Sequence, residues 1–189
     1  MNETTTAAPS PALDWNLVVT SRVGGHRQLR GALKGLVRLR PSGFRNVLVG
    51  RVDDVERLLT AVAELRERSP RLDEWLGKIV PIERTFAVDP ARFEDDLEAV
   101  AASLADRLAG QSFHVRLERR GHKGEIDTHA SEQALGKRLS EILQARGEPG
   151  RVTFDDPDVV VAIEVVGDAA GLGLIPRAMR TRWPFVKID

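Results

Sequence analysis

The sequence contains no cysteine, so disulfides, thiolate zinc sites and cysteine nucleophiles are all excluded. Long hydrophobic stretches are also missing: the longest apolar run, residues 159–163, is far short of the roughly 20 residues that span a bilayer. The sequence has no P-loop, no Gly-Xaa-Ser-Xaa-Gly elbow and no methyl-donor glycine loop. We therefore expect a cytoplasmic protein that has no cofactor and is not an enzyme.

Net charge is absent as well, because 28 basic and 28 acidic residues cancel. The charges are nevertheless segregated along the chain. Residues 22–51 hold eight basic residues and no acid, residues 154–168 hold five acids and no base, and residues 176–188 hold four bases and no acid. Such segregation creates local electrostatic fields even though the net charge is zero, and it favours a polyanionic ligand. The alternative is that the basic and acidic blocks neutralise each other across the fold.

The first half of the chain alternates strand-like and helical patterns. Residues 1–13 are rich in Thr, Ala and Pro and have no apolar core, which predicts a disordered tail rather than a signal peptide. The hydrophobic pattern of the remaining first half predicts strands at 15–20, 46–49 and 79–82. It also predicts a helix at 26–39 and a second helix capped by Asp53. Pro81 favours a sheet edge for the third strand. This order indicates a small α/β sandwich of the ferredoxin-like kind.

The second half predicts a second α/β unit. A helix starts at Asp89 and Pro90 and carries an apolar stripe to Leu108, and a later one ends near Gly147. Strands are expected at 113–117, 159–166 and 172–175. The run at 159–166 is apolar on both faces, which predicts a central, fully buried strand.

Cations cluster after the strand at 113–117. A turn at 118–124 carries Arg119, Arg120 and Lys123, and the next helix carries Lys137 and Arg138 behind Gly136. Guanidinium groups bind phosphate through paired hydrogen bonds, and a helix N-terminus adds favourable partial charge. We expect Arg119 and Arg120 to be exposed and to bind an anion. An ordinary solvated loop is the alternative.

The C-terminal residues interleave cations with aromatic rings. The cations are Arg177, Arg180, Arg182 and Lys187, and the rings are Trp183 and Phe185. Single-stranded nucleic acid is held by this combination of phosphate neutralisation and base stacking. The rings could instead pack against the first half, and we favour packing for the rings with the arginines exposed.

Three histidines lie among acidic residues but match no metal signature. His114, His122 and His129 flank Glu125, Asp127 and Glu132, at spacings typical of no known zinc site. We therefore expect no metal, and a metal-dependent enzyme is the weakest of the functional hypotheses.

Three of these motifs together resemble the THUMP domain over residues 90–175. They are Phe113-His114-Val115-Arg116 with its basic turn, Leu135-Gly136-Lys137-Arg138, and the Asp156-Pro157-Asp158 block with the apolar run behind it. The resemblance implies a ferredoxin-like domain at 14–88, a THUMP domain with a short mixed sheet flanked by helices at 89–176, and a C-terminal segment at 177–189. It implies binding of the tRNA acceptor stem and 3′ end through Arg119, Arg120, Lys123, Lys137 and Arg138.

Since the sequence ends at Asp189, we expect no fused catalytic domain. The chain is similar to stand-alone THUMP proteins related to the adaptor for tRNA cytidine acetylation. That similarity implies a non-catalytic protein that binds tRNA, rather than DNA or membrane, and presents it to a separate modifying enzyme. From charge alone we add Arg177, Arg180, Arg182 and Lys187 to the RNA contacts. The alternative is a scaffold that docks a partner enzyme without binding RNA.

Overall fold

The computed structural model describes residues 13–188, and its strands form two sheets with helices packed against them. The predicted mixed α/β class is therefore confirmed. The predicted disordered tail lies outside the described residues except for Leu13. No helix within residues 13–188 combines the length and apolar character needed to cross a membrane.

The first sheet is antiparallel throughout and comes from the first half of the chain. Its strands are β1 (Leu17–Ser21), β2 (Arg38–Pro41), β3 (Val47–Arg51) and β4 (Leu76–Pro81), in the order β2-β3-β1-β4. The helices of this half are α1 (His26–Leu33), α2 (Val55–Arg68) and the short α3 (Leu72–Trp75). β4 is an edge strand, as Pro81 predicts. Leaving aside α3, the element order is β-α-β-β-α-β, and a ferredoxin-like domain remains our interpretation of it.

The first half departs from the sequence prediction at two element boundaries. The helix expected at 26–39 ends at Leu33, because Gly35 interrupts the helical pattern and residues 38–41 form β2 instead. In β2 the buried Leu39 lies between more exposed neighbours, the two-residue period of an edge strand. The cap of α2 is Asp54 rather than Asp53, since the Asp54 carboxylate accepts a hydrogen bond from the Arg57 amide at 2.9 Å.

The second sheet is mixed. Its strands are β5 (Arg84–Ala87), β6 (Ser112–Arg120), β7 (Arg151–Val152), β8 (Val159–Val166) and β9 (Ala169–Pro176), in the order β5-β9-β8-β6-β7. β6 runs parallel to β7 and β8, whereas β9 is antiparallel to β8 and β5. The helices are α4 (Phe93–Ala102), a 3₁₀ turn (Ala105–Leu108), α5 (Thr128–Ala145) and α6 (Arg177–Arg182).

Several elements of the second half differ from expectation. The short strands β5 and β7 were not predicted, and β5 pairs with β9 of the second sheet. α4 starts at Phe93, because the Asp89 carboxylate closes a turn onto the Ala91 amide and does not cap the helix. β9 is eight residues long and begins three residues before the strand expected at 172–175.

β8 explains why residues 159–166 are apolar on both faces. Val159, Val161, Ile163 and Val165 point into the core beneath α4 and α5. Val160, Ala162 and Val166 point the other way, into a second core that they share with the first sheet. The two halves of the described chain are therefore packed together through one face of β8.

The C-terminal aromatic rings complete that shared core. Trp183 and Phe185 are buried beside residues of the first half, and the Ile79 amide of β4 donates to the Phe185 carbonyl at 2.9 Å. The packing interpretation of these rings is confirmed. The C-terminal residues are thus packed against the rest of the described chain.

Candidate nucleic-acid interface

The basic turn begins later than the sequence suggests. β6 continues through Arg120, and the turn that follows needs left-handed backbone at Gly121, His122 and Gly124. α5 then starts at Thr128, where the Asp127 carboxylate accepts from the Ala130 amide at 3.0 Å. Arg119 and Arg120 are consequently strand residues and not loop residues.

Arg120 is turned inward. Its side chain is only 14% exposed, and its guanidinium donates to the carboxylates of Glu164 and Glu118. The half-buried Arg119 donates to the carbonyl of Gly121. Our prediction that both arginines are exposed is therefore wrong, because the carboxylates of Glu164 on β8 and Glu118 on β6 itself, and the carbonyl of Gly121 in the turn, take their hydrogen bonds.

A chain of four charges runs across the junction of the two sheets. Lys78 of β4 lies 2.8 Å from Glu118 of β6, which bonds Arg120, which bonds Glu164 of β8. Burial raises the pKa of Glu164 to about 7, with the charge of Arg120 acting in the opposite direction. Burial alone would raise the pKa of Glu118 too, but the hydrogen bond from Lys78 and the charge of Arg120 outweigh it and lower that pKa.

The other cations of the predicted motif differ in availability. Lys123 is exposed in the turn. The Lys137 side chain is 80% exposed on α5 and lies 3.9 Å from Glu141. Arg138 is paired with Glu98 of α4 and lies 3.6 Å from Glu141. Lys123 and Lys137 are the members of this set best placed to meet a ligand.

The C-terminal arginines mostly bind the acidic loop before β8. Arg177 lies 2.9 Å from Asp156 and 2.8 Å from Asp158, and Arg180 donates to the Pro157 carbonyl. Asp158 also accepts from the amide and hydroxyl of Ser112, which fastens α6 to the start of β6. The expectation of free arginines is thus corrected for this pair.

The last two cations of the C-terminal set face outward. The guanidinium of Arg182 lies 4.5 Å from the Trp183 ring, and Lys187 is exposed.

A second cationic surface, absent from the predicted contact residues, lies on the first half. Arg27, Arg30 and Lys34 along α1 and Arg38 at the start of β2 line a groove of about 760 Å³, which we term the α1–β2 groove. All four side chains are exposed, and none of them is in an ion pair within residues 13–188. The acid-free composition of residues 22–51 is the sequence signal that marks it.

The histidines are separated by the fold. His122 lies between Glu125 at 3.0 Å and Asp168 at 3.2 Å, whereas the His114 ring rests against Phe154 and His129 lies beside Gln133. Across the described part of the chain, no three His, Asp or Glu side chains are grouped to hold a metal ion.

These features define a two-sheet α/β protein with a groove of unpaired surface cations suited to an anion. Residues 91–174 match the family model of the THUMP domain. The chain therefore contains a THUMP domain, formed mainly by the second sheet and its helices, as the sequence motifs predict.

Solved structures share the fold. TrmN from Thermus thermophilus matches with a TM-score of 0.61 at 22% identity, covering 84% of this chain and 44% of that one. PH1313 from Pyrococcus horikoshii Ot3 matches with a TM-score of 0.54 at 13% identity, over 84% and 54%. A possible methylase from Clostridium difficile 630 matches with a TM-score of 0.57 at 11% identity, over 85% and 40%. This chain thus spans about half of each relative or less, and at these identities the likeness concerns the fold. No curated protein matches the sequence.

Proposed function

We propose that this protein binds tRNA at its acceptor stem and 3′ end and presents it to a separate modifying enzyme in the cytoplasm. The THUMP domain at residues 91–174 carries this proposal, because a THUMP domain implies RNA binding. The possible methylase is named as a modifying enzyme, which supports modification as the context.

The charge distribution supports RNA as the ligand. Cations that are not neutralised by a nearby carboxylate can release counterions from a phosphate backbone, whereas paired cations would first have to break an ion pair. The α1–β2 groove holds four unpaired cations, and Lys123 and Lys137 add exposed charge on the THUMP half. We therefore assign phosphate binding chiefly to these residues. Arg120, Arg177 and Arg180 take a structural role, because acidic groups of the fold already hold them.

A non-catalytic role fits the side chains that could carry chemistry. The three histidines of the second half are held by different partners, and the buried carboxylate of Glu164 is bound to Arg120. A separate enzyme would then carry out the modification, and a cytidine acetyltransferase is the partner that the sequence resemblance suggests.

The α1–β2 groove gives the direct test. We expect the triple substitution Arg27→Ala, Arg30→Ala and Lys34→Ala to weaken tRNA binding roughly tenfold or more near 0.15 M salt, and to flatten the slope of log K against log salt by about two to three units. The reason is that each lost phosphate contact removes about one released counterion. Fluorescence anisotropy with labelled tRNA from 50 to 300 mM salt measures both quantities.

A matched control removes the same charge elsewhere. Arg68→Ala, Arg92→Ala and Arg146→Ala delete three exposed cations that carboxylates neutralise, so affinity should change by only about twofold. Equal losses in both triple variants would show a general charge effect and remove the groove from the proposal.

A tRNA lacking its 3′ end that binds as well as intact tRNA would remove acceptor-end recognition. An enzyme pull-down that survives nuclease, combined with no tRNA affinity, would favour the scaffold instead.

A further inference from the structure

A small cavity lies at the open edge of β6, outside the α1–β2 groove. It measures about 190 Å³ and lies between β6, α5 and the loop after β7. This is below the roughly 300–1,000 Å³ of clefts for drug-sized ligands, so it suits a single flat ring system. Its walls are largely apolar, and its lining includes His114, Val115, Gly136, Lys137 and Phe154.

The backbone of β6 presents hydrogen-bonding groups toward this cavity. β7 pairs with β6 only as far as Phe113, whose carbonyl accepts from the Thr153 amide at 3.0 Å. Farther along the same edge, the Leu117 amide donates to the Glu132 carboxylate at 2.7 Å. In a strand the peptide groups of every second residue point to the same edge, so the N–H and C=O of Val115 point there too. They supply one donor and one acceptor beside each other.

An aromatic ring stands at the cavity mouth. Phe154 is 83% exposed and belongs to neither hydrophobic core, so packing does not account for it. The His114 ring contacts it edge-on, with ring centroids 4.9 Å apart and planes at 60°. Burial lowers the pKa of His114, which favours the uncharged form of this ring. Exposed aromatic faces of this kind stack on nucleobases.

The floor of the cavity is open because α5 has no side chain at Gly136. A Cβ atom built at Gly136 would meet Val115 at 3.8 Å and Val152 at 3.9 Å, which are ordinary contacts. The residue is therefore not required for close packing, and its absent side chain leaves space. Lys137 follows at the rim with an 80% exposed side chain.

We propose that this cavity binds one unstacked nucleobase from a single-stranded segment of RNA. The base stacks on Phe154, and its edge forms hydrogen bonds with the backbone N–H and C=O of Val115. The adjoining phosphate binds Lys137. This inference rests on the proposed RNA-binding function and assigns the single-stranded part of the ligand to a defined site.

Two substitutions test the cavity by different means. Phe154→Ala removes the stacking surface, and Gly136→Leu fills the space while improving helix propensity. The probe is an RNA hairpin with a four-nucleotide 3′ overhang carrying 2-aminopurine, compared with the same hairpin made blunt. We expect each variant to bind the overhang RNA roughly tenfold more weakly and the blunt RNA unchanged. Binding to the wild-type protein should change the 2-aminopurine fluorescence, and binding to Phe154→Ala should not.

The control is Val23→Ala, which removes a 79% exposed apolar side chain from the first half and should leave both affinities unchanged. Thermal denaturation of all variants verifies that they fold. If the wild-type protein binds overhang and blunt RNA equally, or if both variants bind the overhang like wild type, the nucleobase site is wrong while RNA binding stands. Failure of the wild-type protein to bind either RNA overturns the proposed function together with this site.

Discussion

Glu164 is a carboxylate in the middle of an apolar strand, and its side chain is only 2% exposed. A buried charge is costly unless it is paired and hydrogen-bonded, and here Arg120 supplies both. Arg120 is shared with Glu118, which in turn binds Lys78 of the first sheet. Positive and negative charges alternate from Lys78 to Glu164, so each of the four groups has an oppositely charged neighbour. Removing one partner would leave an uncompensated charge at the junction of the sheets.

The raised pKa of Glu164 predicts a pH-dependent stability. Its pKa is about 7 in the fold against an ordinary value of 4.5, so the folded state holds a proton that the unfolded state has released between these values. The stabilisation contributed by this group is fully present below about pH 4.5 and is lost as the pH rises through 7. We expect the free energy of unfolding of the wild-type protein, relative to Glu164→Gln, to fall across this window by up to a few kcal/mol and then level off.

Urea denaturation of both proteins at pH 5, 6, 7 and 8 measures this difference. Glu118 is common to both proteins, and its lowered pKa places its own titration below this range. Parallel stability curves for the two proteins would show that Glu164 stays ionised throughout.

β9 requires glycine at two positions where a side chain would collide with the first half of the chain. A Cβ atom at Gly171 would lie 2.6 Å from Ile82 and 2.7 Å from the Trp15 ring, and one at Gly173 would collide with the Pro81 carbonyl oxygen. These glycines let the backbone after β4 lie against the face of the second sheet. The local sequence does not reveal this need for bare backbone, because the groups that crowd the two glycines belong to Trp15, Pro81 and Ile82, which are remote along the chain.

Substitution at Gly173 should therefore cost stability. We expect Gly173→Ala to lower the free energy of unfolding by about 1–3 kcal/mol or more, since a backbone carbonyl cannot yield as a flexible side chain can. The matched control is Gly31→Ala in α1, where nothing lies within 4 Å of the new methyl group. That control should raise stability by roughly 0.5–1 kcal/mol through helix propensity. Equal effects of both substitutions in chemical denaturation would contradict the close approach at β9.

Longer elements could be predicted well and short ones poorly. α2, α5 and β8 are 14, 18 and 8 residues long, and each carries a hydrophobic period that its own residues reveal. β2, β5 and β7 are two to four residues long and exist because a partner strand offers hydrogen bonds. A pattern of so few residues does not separate a strand from a loop.

The whole described molecule is held together by a core to which both ends contribute. Trp15 precedes β1, and Trp183 and Phe185 follow α6, yet all three are buried in the same cluster with one face of β8. The acidic loop at 156–158 fixes α6 in place through Arg177. Folding of the first half should accordingly depend on residues near the C-terminus.

Phe185→Ala tests this dependence. Loss of a buried phenyl ring should lower the free energy of unfolding by about 3–5 kcal/mol, and both halves should still unfold in one transition. Circular dichroism follows the helices, and the fluorescence of Trp15 and Trp75 together with Trp183 follows the first half and the junction. Lys187→Ala, at an exposed neighbouring position, is the control and should be close to neutral. Two separate transitions, or a loss below about 1 kcal/mol, would show that the halves are stable independently.

Some features of the candidate interface could likewise be predicted from the local sequence, and others depended on residues far away along the chain. The local sequence indicates a THUMP domain, the acid-free block at 22–51 and the doubly buried strand, because motifs, composition and periodicity are properties of neighbouring residues. Which cations are free depended on the fold, since their partners are remote: Arg120 meets Glu164 44 residues away, and Arg138 meets Glu98 40 residues away. Cations that look equivalent in the sequence are either held in ion pairs of the fold or free to bind a ligand, because packing decides whether a carboxylate lies beside them.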